Sequence, residues 1–92
     1  MELIRRARAG TLESGDVLVT VAPAEALTVT LESPVKAQFG DQILATAHAV
    51  LEDLGVREGS VALADQGALD CTIRARVATA VKRGAAGEGD ER

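Results

Sequence analysis

Three kinds of reactive side chain stand out in this 92-residue chain: a single cysteine, a single histidine, and a serine set among carboxylates. The serine is Ser14, in the run Ala9-Gly10-Thr11-Leu12-Glu13-Ser14-Gly15-Asp16, which leads directly into the Val-rich segment Val17-Leu18-Val19. Working groups tend to sit on such loops, carried by a rigid scaffold. A nucleophilic serine needs a base within hydrogen-bond reach, but His48 lies far along the chain with no obvious partner. A phosphate cradle needs a Gly-rich loop feeding a helix N-terminus, often with a lysine. This loop feeds a strand and carries Glu13 and Asp16, which repel an anion that is not covalently held. Gly15 removes the Cβ beside Ser14 and tolerates positive φ, leaving the hydroxyl open to a modifying enzyme. Ser14 therefore reads as an attachment point rather than a nucleophile. The plainer reading is a turn, since Ser, Gly and Asp before a strand are ordinary turn residues.

The other groups are weaker candidates. Cys71 falls among apolar neighbours in a predicted helix, where a free thiol is usually buried and inert. His48 borders an apolar helical stripe without a Cys, Asp or second His beside it, so no metal site is indicated. Ser33 and Ser60 are rival hydroxyls, explained by a helix cap and a strand edge.

The serine run, together with Val21-Ala22-Pro23, Lys36-Ala37-Gln38-Phe39-Gly40-Asp41 and Asp65-Gln66-Gly67-Ala68-Leu69-Asp70-Cys71 through Arg74-Ala75-Arg76, resembles the acyl carrier protein (gamma subunit) family of citrate lyase. The blocks occur in the family's order over nearly the whole chain. The resemblance implies a non-catalytic carrier. Its serine at the position of Ser14 bears, through a phosphodiester, a 2'-(5''-phosphoribosyl)-3'-dephospho-coenzyme A group ending in a thiol. It also implies acetyl and citryl thioesters as cargo, the alpha (acyl transferase) and beta (citryl lyase) subunits as partners, and a prosthetic-group transferase that loads the carrier. On this reading Asp65, Gly67 and Asp70 form a partner-docking block; the plainer account is a tight turn followed by a helix start that favours acidic residues. The carrier of citramalate lyase or malonate decarboxylase is the nearest alternative, and a small interaction domain without a prosthetic group is a different class.

Positioning these groups requires a scaffold. Residues 2–9 suit a short helix ended by Gly10. Residues 16–22 read as a strand, as does 27–32, where Leu27, Val29 and Leu31 alternate with Thr28, Thr30 and Glu32; the short connection between them predicts an antiparallel hairpin. Ser33-Pro34 predicts a helix start, with Ser33 as cap and Pro34 in the first turn. Val35, Phe39, Ile43, Ala47, Val50, Leu51 and Leu54 form its apolar stripe, and Gly55 closes it. Gly40 inside this helix implies either a kink recapped by Asp41 or close approach of another backbone. Residues 60–64 predict a third strand, parallel to the second through the crossover rule. For 71–77 strand and helix patterns compete, but length and Ala and Arg content favour a helix over 68–83. Residues 84–92 are Gly-rich and charged, and are expected to be a disordered tail. The outcome is an α+β domain, residues 1–83, with a three-stranded sheet against two main helices. It is not the helical bundle of ordinary acyl carrier proteins.

Composition narrows the class further. Apolar residues make up 47% of the chain and charged residues 26%, so it can bury a modest core as one domain. A net charge of −4 and a single aromatic residue, Phe39, argue against nucleic acid, which needs basic stripes or stacking platforms. Arg5, Arg6 and Arg8 are a solvated face or a partner contact. No apolar run approaches the roughly twenty residues of a membrane span or the core of a signal peptide. With a lone cysteine unable to form an internal disulfide, this points to the cytoplasm.

Overall fold

The computed structural model describes residues 1–86. Four strands, β1 (Ala7–Ala9), β2 (Val17–Ala22), β3 (Leu27–Glu32) and β4 (Gly59–Asp65), form one sheet, with helices α1 (Lys36–Asp53) and α2 (Asp70–Ala85). The fold is α+β with two main helices, as the sequence predicts, and 71–77 is helical.

The sheet departs from expectation in three ways. It has four strands in the order β1-β2-β4-β3, rather than three. β4 inserts between β2 and β3, antiparallel to β2 (Val19 opposite Leu63) and parallel to β3 (Leu31 opposite Leu63), so the expected β2–β3 hairpin does not exist. The parallel pairing of β3 with β4 across α1 is as predicted. The expected N-terminal helix is absent: residues 7–9 pair with β2 as an edge strand. Ahead of them Leu3 is 5% exposed, and the Ile4 and Arg5 amides both donate to the Gly84 carbonyl. Two turns of isolated helix gain little, whereas edge pairing and burial of Leu3 satisfy both backbone and side chain.

Alternation decides which face is covered. Val17, Val19 and Val21 of β2 and Val61 and Leu63 of β4 are buried, and each side chain so removed from water contributes roughly 1.5–3 kcal/mol. A one-residue slip would turn Leu18 and Thr20 inward, which pins the register. α2 packs over β1 and β2, and α1 over β3. The opposite face, carrying Leu18, Thr20, Thr28, Thr30 and Ala62, has no helix over it among the described residues and stays half-buried or exposed.

α1 runs unbroken through Gly40, so Asp41 does not begin a second helix. A Cβ at Gly40 would stand 3.0 Å from Lys36 Cγ and 3.8 Å from Leu31 Cδ2, side chains rather than another backbone. The helix ends as predicted, with the Gly55 amide donating to Glu52 O (3.0 Å) and the Val56 amide to Leu51 O (2.9 Å), a pairing that satisfies carbonyls the helix leaves free. Its start lies two residues beyond Pro34. Ser33 Oγ accepts from the Val35 amide at 3.2 Å and donates to Asp65 at 2.7 Å, tying the leading turn to the end of β4. Phe39, expected in the core, is 49% exposed. α2 continues through Gly84 and Ala85, two residues into the expected tail; residues 87–92 lie outside the described residues.

The start of β2, the ends of β3 and β4, and the first turns of both helices meet at one end of the domain. The registers Val17 opposite Asp65 and Glu32 opposite Ala64 place them there.

Candidate functional site

The loop before β2 ends in a hydrogen-bonded turn. The Asp16 amide donates to Glu13 O at 3.0 Å, Gly15 has φ +84°, and no other residue type in the described chain has positive φ. This is the signature of a type II turn with Ser14 at its first central position and glycine where φ must be positive. A Cβ at Gly15 would meet nothing within 4 Å, so the space beside the serine is open. Ser14 itself is exposed, and its Oγ makes no hydrogen bond among the described residues.

The flanks of the turn are held firmly by groups distant in sequence. The Gly15 amide donates to Gln66 O at 2.7 Å, and the Gln66 amide to Asp16 O at 2.9 Å, stitching the loop to the turn after β4. The Asp16 carboxylate accepts from Thr11 Oγ1 (2.7 Å) and the Val17 amide (2.7 Å), and Arg76 of α2 donates Nε to Oδ1 and Nη2 to Oδ2, both at 3.0 Å. The Arg76 guanidinium, then the Thr11 hydroxyl and the Val17 amide, hold the Asp16 carboxyl well below the usual carboxylate range. Thr11 Oγ1 also accepts from the Glu13 amide at 3.1 Å. The loop is thus a short rigid arch with one unengaged hydroxyl at its crown. Asp16, Thr11 and Arg76 are positioning residues that spacing alone does not single out. The available signal was that Asp16 and Arg76 both belong to the blocks quoted above.

The block after β4 acts first as structure. Asp65, 1% exposed, accepts from Ser33 Oγ and, at 2.9 Å, from the Ala68 amide. Asp70 accepts from Thr46 Oγ1 at 2.6 Å and from Arg74 Nε at 2.8 Å; the Thr46 hydroxyl first and Arg74 second hold its carboxyl below the ordinary range. Both carboxylates therefore fasten the start of α2 to β4 and α1.

The structure separates the remaining candidates. Cys71 is exposed rather than buried, because it lies two residues from Ile73, on the opposite face of α2 from the inward stripe Ile73, Val77 and Val81. His48 is exposed on α1, and among the described residues no group of three or more His, Cys, Asp or Glu could hold a metal ion. Ser33 is engaged by Asp65 and half-buried, and Ser60 is half-buried in the sheet between Ala22 and Thr28. Among the described residues no helix is long and apolar enough to cross a membrane.

Known proteins share this sequence over nearly its whole length. The chain is 49% identical over 89 residues to the citrate lyase acyl carrier protein of Pectobacterium atrosepticum, covering 96% of this chain and 93% of that protein. The chain belongs to the citrate lyase acyl carrier protein family. It is 51% identical over 87 residues to the family member from Streptococcus mutans (92% and 85% of the two chains) and 46% identical over 83 residues to that from Treponema denticola (90% and 95%). The family profile described as malonate decarboxylase delta subunit matches residues 4–84. That span takes in the serine arch, the whole sheet and both helices up to Gly84.

Proposed function

We propose that this chain is the non-catalytic carrier subunit of a cytoplasmic citrate lyase. On this reading Ser14 Oγ holds, through a phosphodiester, a 2'-(5''-phosphoribosyl)-3'-dephospho-coenzyme A group. When bound, the group supplies a terminal thiol that takes acetyl and citryl groups as thioesters, the chemistry by which citrate is split into acetate and oxaloacetate. The observation that carries the reading is the exposed, unengaged hydroxyl at the crown of an anchored turn, in a chain of this family.

The residues present fit such a group. The open space beside Gly15 leaves room for a bulky substituent on Ser14. No base reaches the hydroxyl among the described residues, so the proton lost on modification goes to a base on the loading transferase. Glu13 and Asp16 leave little affinity for a free polyphosphate, which suits covalent rather than reversible attachment. The Asp16–Arg76 grip holds the arch in one place, so a tethered acyl group swings from a fixed origin. A tether of this kind presents its cargo to the alpha and beta subunits at an effective concentration on the order of millimolar.

The match to the malonate decarboxylase profile supports a second reading, the same attachment serving a different complex. The two separate when loaded protein is offered to the subunits of each complex. Citrate cleavage and no malonate decarboxylation is the expected result, and the reverse reassigns the substrate. Loading itself has a direct optical test. The chain has no Trp and no Tyr, so an attached adenine dominates its near-ultraviolet absorption. Native protein without that band is an interaction domain instead.

A further inference from the structure

Between the first halves of α1 and α2 lies a groove of about 360 Å³, lined chiefly by Phe39, Ile43, Thr46, Ala68, Leu69 and Ile73. Its size falls at the lower end of the roughly 300–1,000 Å³ of small-molecule sites. Two of its apolar side chains stay largely in water, Phe39 at 49% exposure and Leu69 at 70%, and Phe39 is the only aromatic residue in the chain. Resting on the reading of Ser14 as the attachment point, we infer that this groove seats the neutral, thiol-bearing end of the group carried on Ser14.

The occupant follows from what the groove adjoins. Gly67 lines it, and the neighbouring Gln66 exchanges backbone hydrogen bonds with Gly15 and Asp16, so the serine arch and the groove share one stitched turn. A Cβ at Gly67 would meet nothing within 4 Å, so the space beside this turn is open. A flexible arm leaving Ser14 thus has this apolar surface across a single shared turn.

Charge selects which form of the arm is seated. Asp65 and Asp70 line the same groove, and Asp70 is held in its charged form by Thr46 and Arg74. A thiol or an acetyl thioester is neutral and can use the apolar lining. A citryl thioester brings carboxylates that would lose their water against the apolar lining, and it is disfavoured there. The groove therefore shelters the resting and acetylated ends from water and releases the citryl end for transfer.

The test uses loaded full-length protein carrying Cys71→Ser, so that the arm holds the only thiol. Through-space NMR contacts between the Phe39 ring and the methyl and methylene protons of the arm are expected in this protein. Alkylation of its thiol by iodoacetamide should be roughly tenfold slower than that of free coenzyme A, as for an arm seated about ten parts to one. Phe39→Ala, at an exposed position, should restore the free rate. An adduct on Ser14 with no contact to Phe39 and the free alkylation rate overturns the inference while leaving the attachment intact, and returns the groove to a docking partner. No adduct on Ser14 removes the attachment and the inference together.

Discussion

Arg76 grips Asp16 at two points across sixty residues of sequence, Nε to Oδ1 and Nη2 to Oδ2, each 3.0 Å long. This bond joins the serine arch to α2, and planar two-point pairing of this kind fixes geometry as well as charge. Arg76→Ala should leave the fold intact but free the arch. Amide exchange at Gly15 should quicken, and the loading transferase should modify Ser14 more slowly. Unchanged exchange at Gly15 would mean that the Gln66 bonds alone hold the arch.

The same pair sets a pH dependence. With the Asp16 carboxyl held below its ordinary range, chiefly by Arg76, the unfolded chain binds the proton more readily than the folded one. The stabilisation is complete above the unfolded value, roughly pH 4, and is lost as pH falls toward the lower folded value. Asp70 contributes with the same sign. Urea midpoints should fall below about pH 4, and Arg76→Ala should show a shallower fall. A variant as acid-sensitive as the parent would contradict the assignment.

Asp65 and Ser33 offer a stability test at the same end of the domain. Ser33→Ala removes one partner of the buried carboxylate and should cost about 1 kcal/mol. Asp65→Ala strands both the Ser33 hydroxyl and the Ala68 amide, and should cost about 2–4 kcal/mol. The double variant should fall short of the sum, because the two residues share one hydrogen bond. Denaturant unfolding of the three proteins measures the coupling, and strict additivity would show that the bond adds nothing.

Gly84 shows how packing can override propensity. Alanine there would gain about 1 kcal/mol of helix propensity. Its Cβ, however, would stand 2.8 Å from Val21 Cγ2, 3.0 Å from Leu3 Cδ2 and 3.2 Å from the Arg5 carbonyl. Overpacking of this kind costs typically about 1–3 kcal/mol, and the backbone oxygen cannot move as a side chain can. Gly84→Ala should therefore lower the denaturant midpoint, where a flexible-tail position would leave it unchanged.

The alternation of Val17, Val19 and Val21 and of Leu27, Val29 and Leu31 reports which residues face inward, but not which strand lies beside which. β4 lies between β2 and β3, with Val61 and Leu63 packed inward, a long-range pairing that short connections do not foretell. The residues before β1 carried arginines and a helical pattern, and it is the waiting edge of β2 and the pocket for Leu3 that decide their form. That Ser14 lies exposed on a turn is legible from its neighbours. The firmness of its loop is not, since it depends on Arg76 and Gln66 arriving from the far side of the chain. Cys71 was misplaced although the stripe marking Ile73 and Val77 as inward already put it on the opposite face.

Ser14→Ala should be nearly silent in stability, within about 0.5 kcal/mol, because the hydroxyl is exposed and engages nothing among the described residues. A large destabilisation would instead make the serine a structural part of the turn.

The central claim is that Ser14 bears the prosthetic group, and peptide mass mapping of protein made in cells with its loading enzymes tests it most directly. Trypsin releases residues 9–36 as one peptide holding both Ser14 and Ser33, and fragmentation distinguishes the two. The account predicts a phosphodiester-linked, adenine-containing adduct on Ser14, absent from Ser14→Ala. An unmodified Ser14 in a citrate-cleaving complex, or an adduct that persists on another residue of Ser14→Ala, would contradict it.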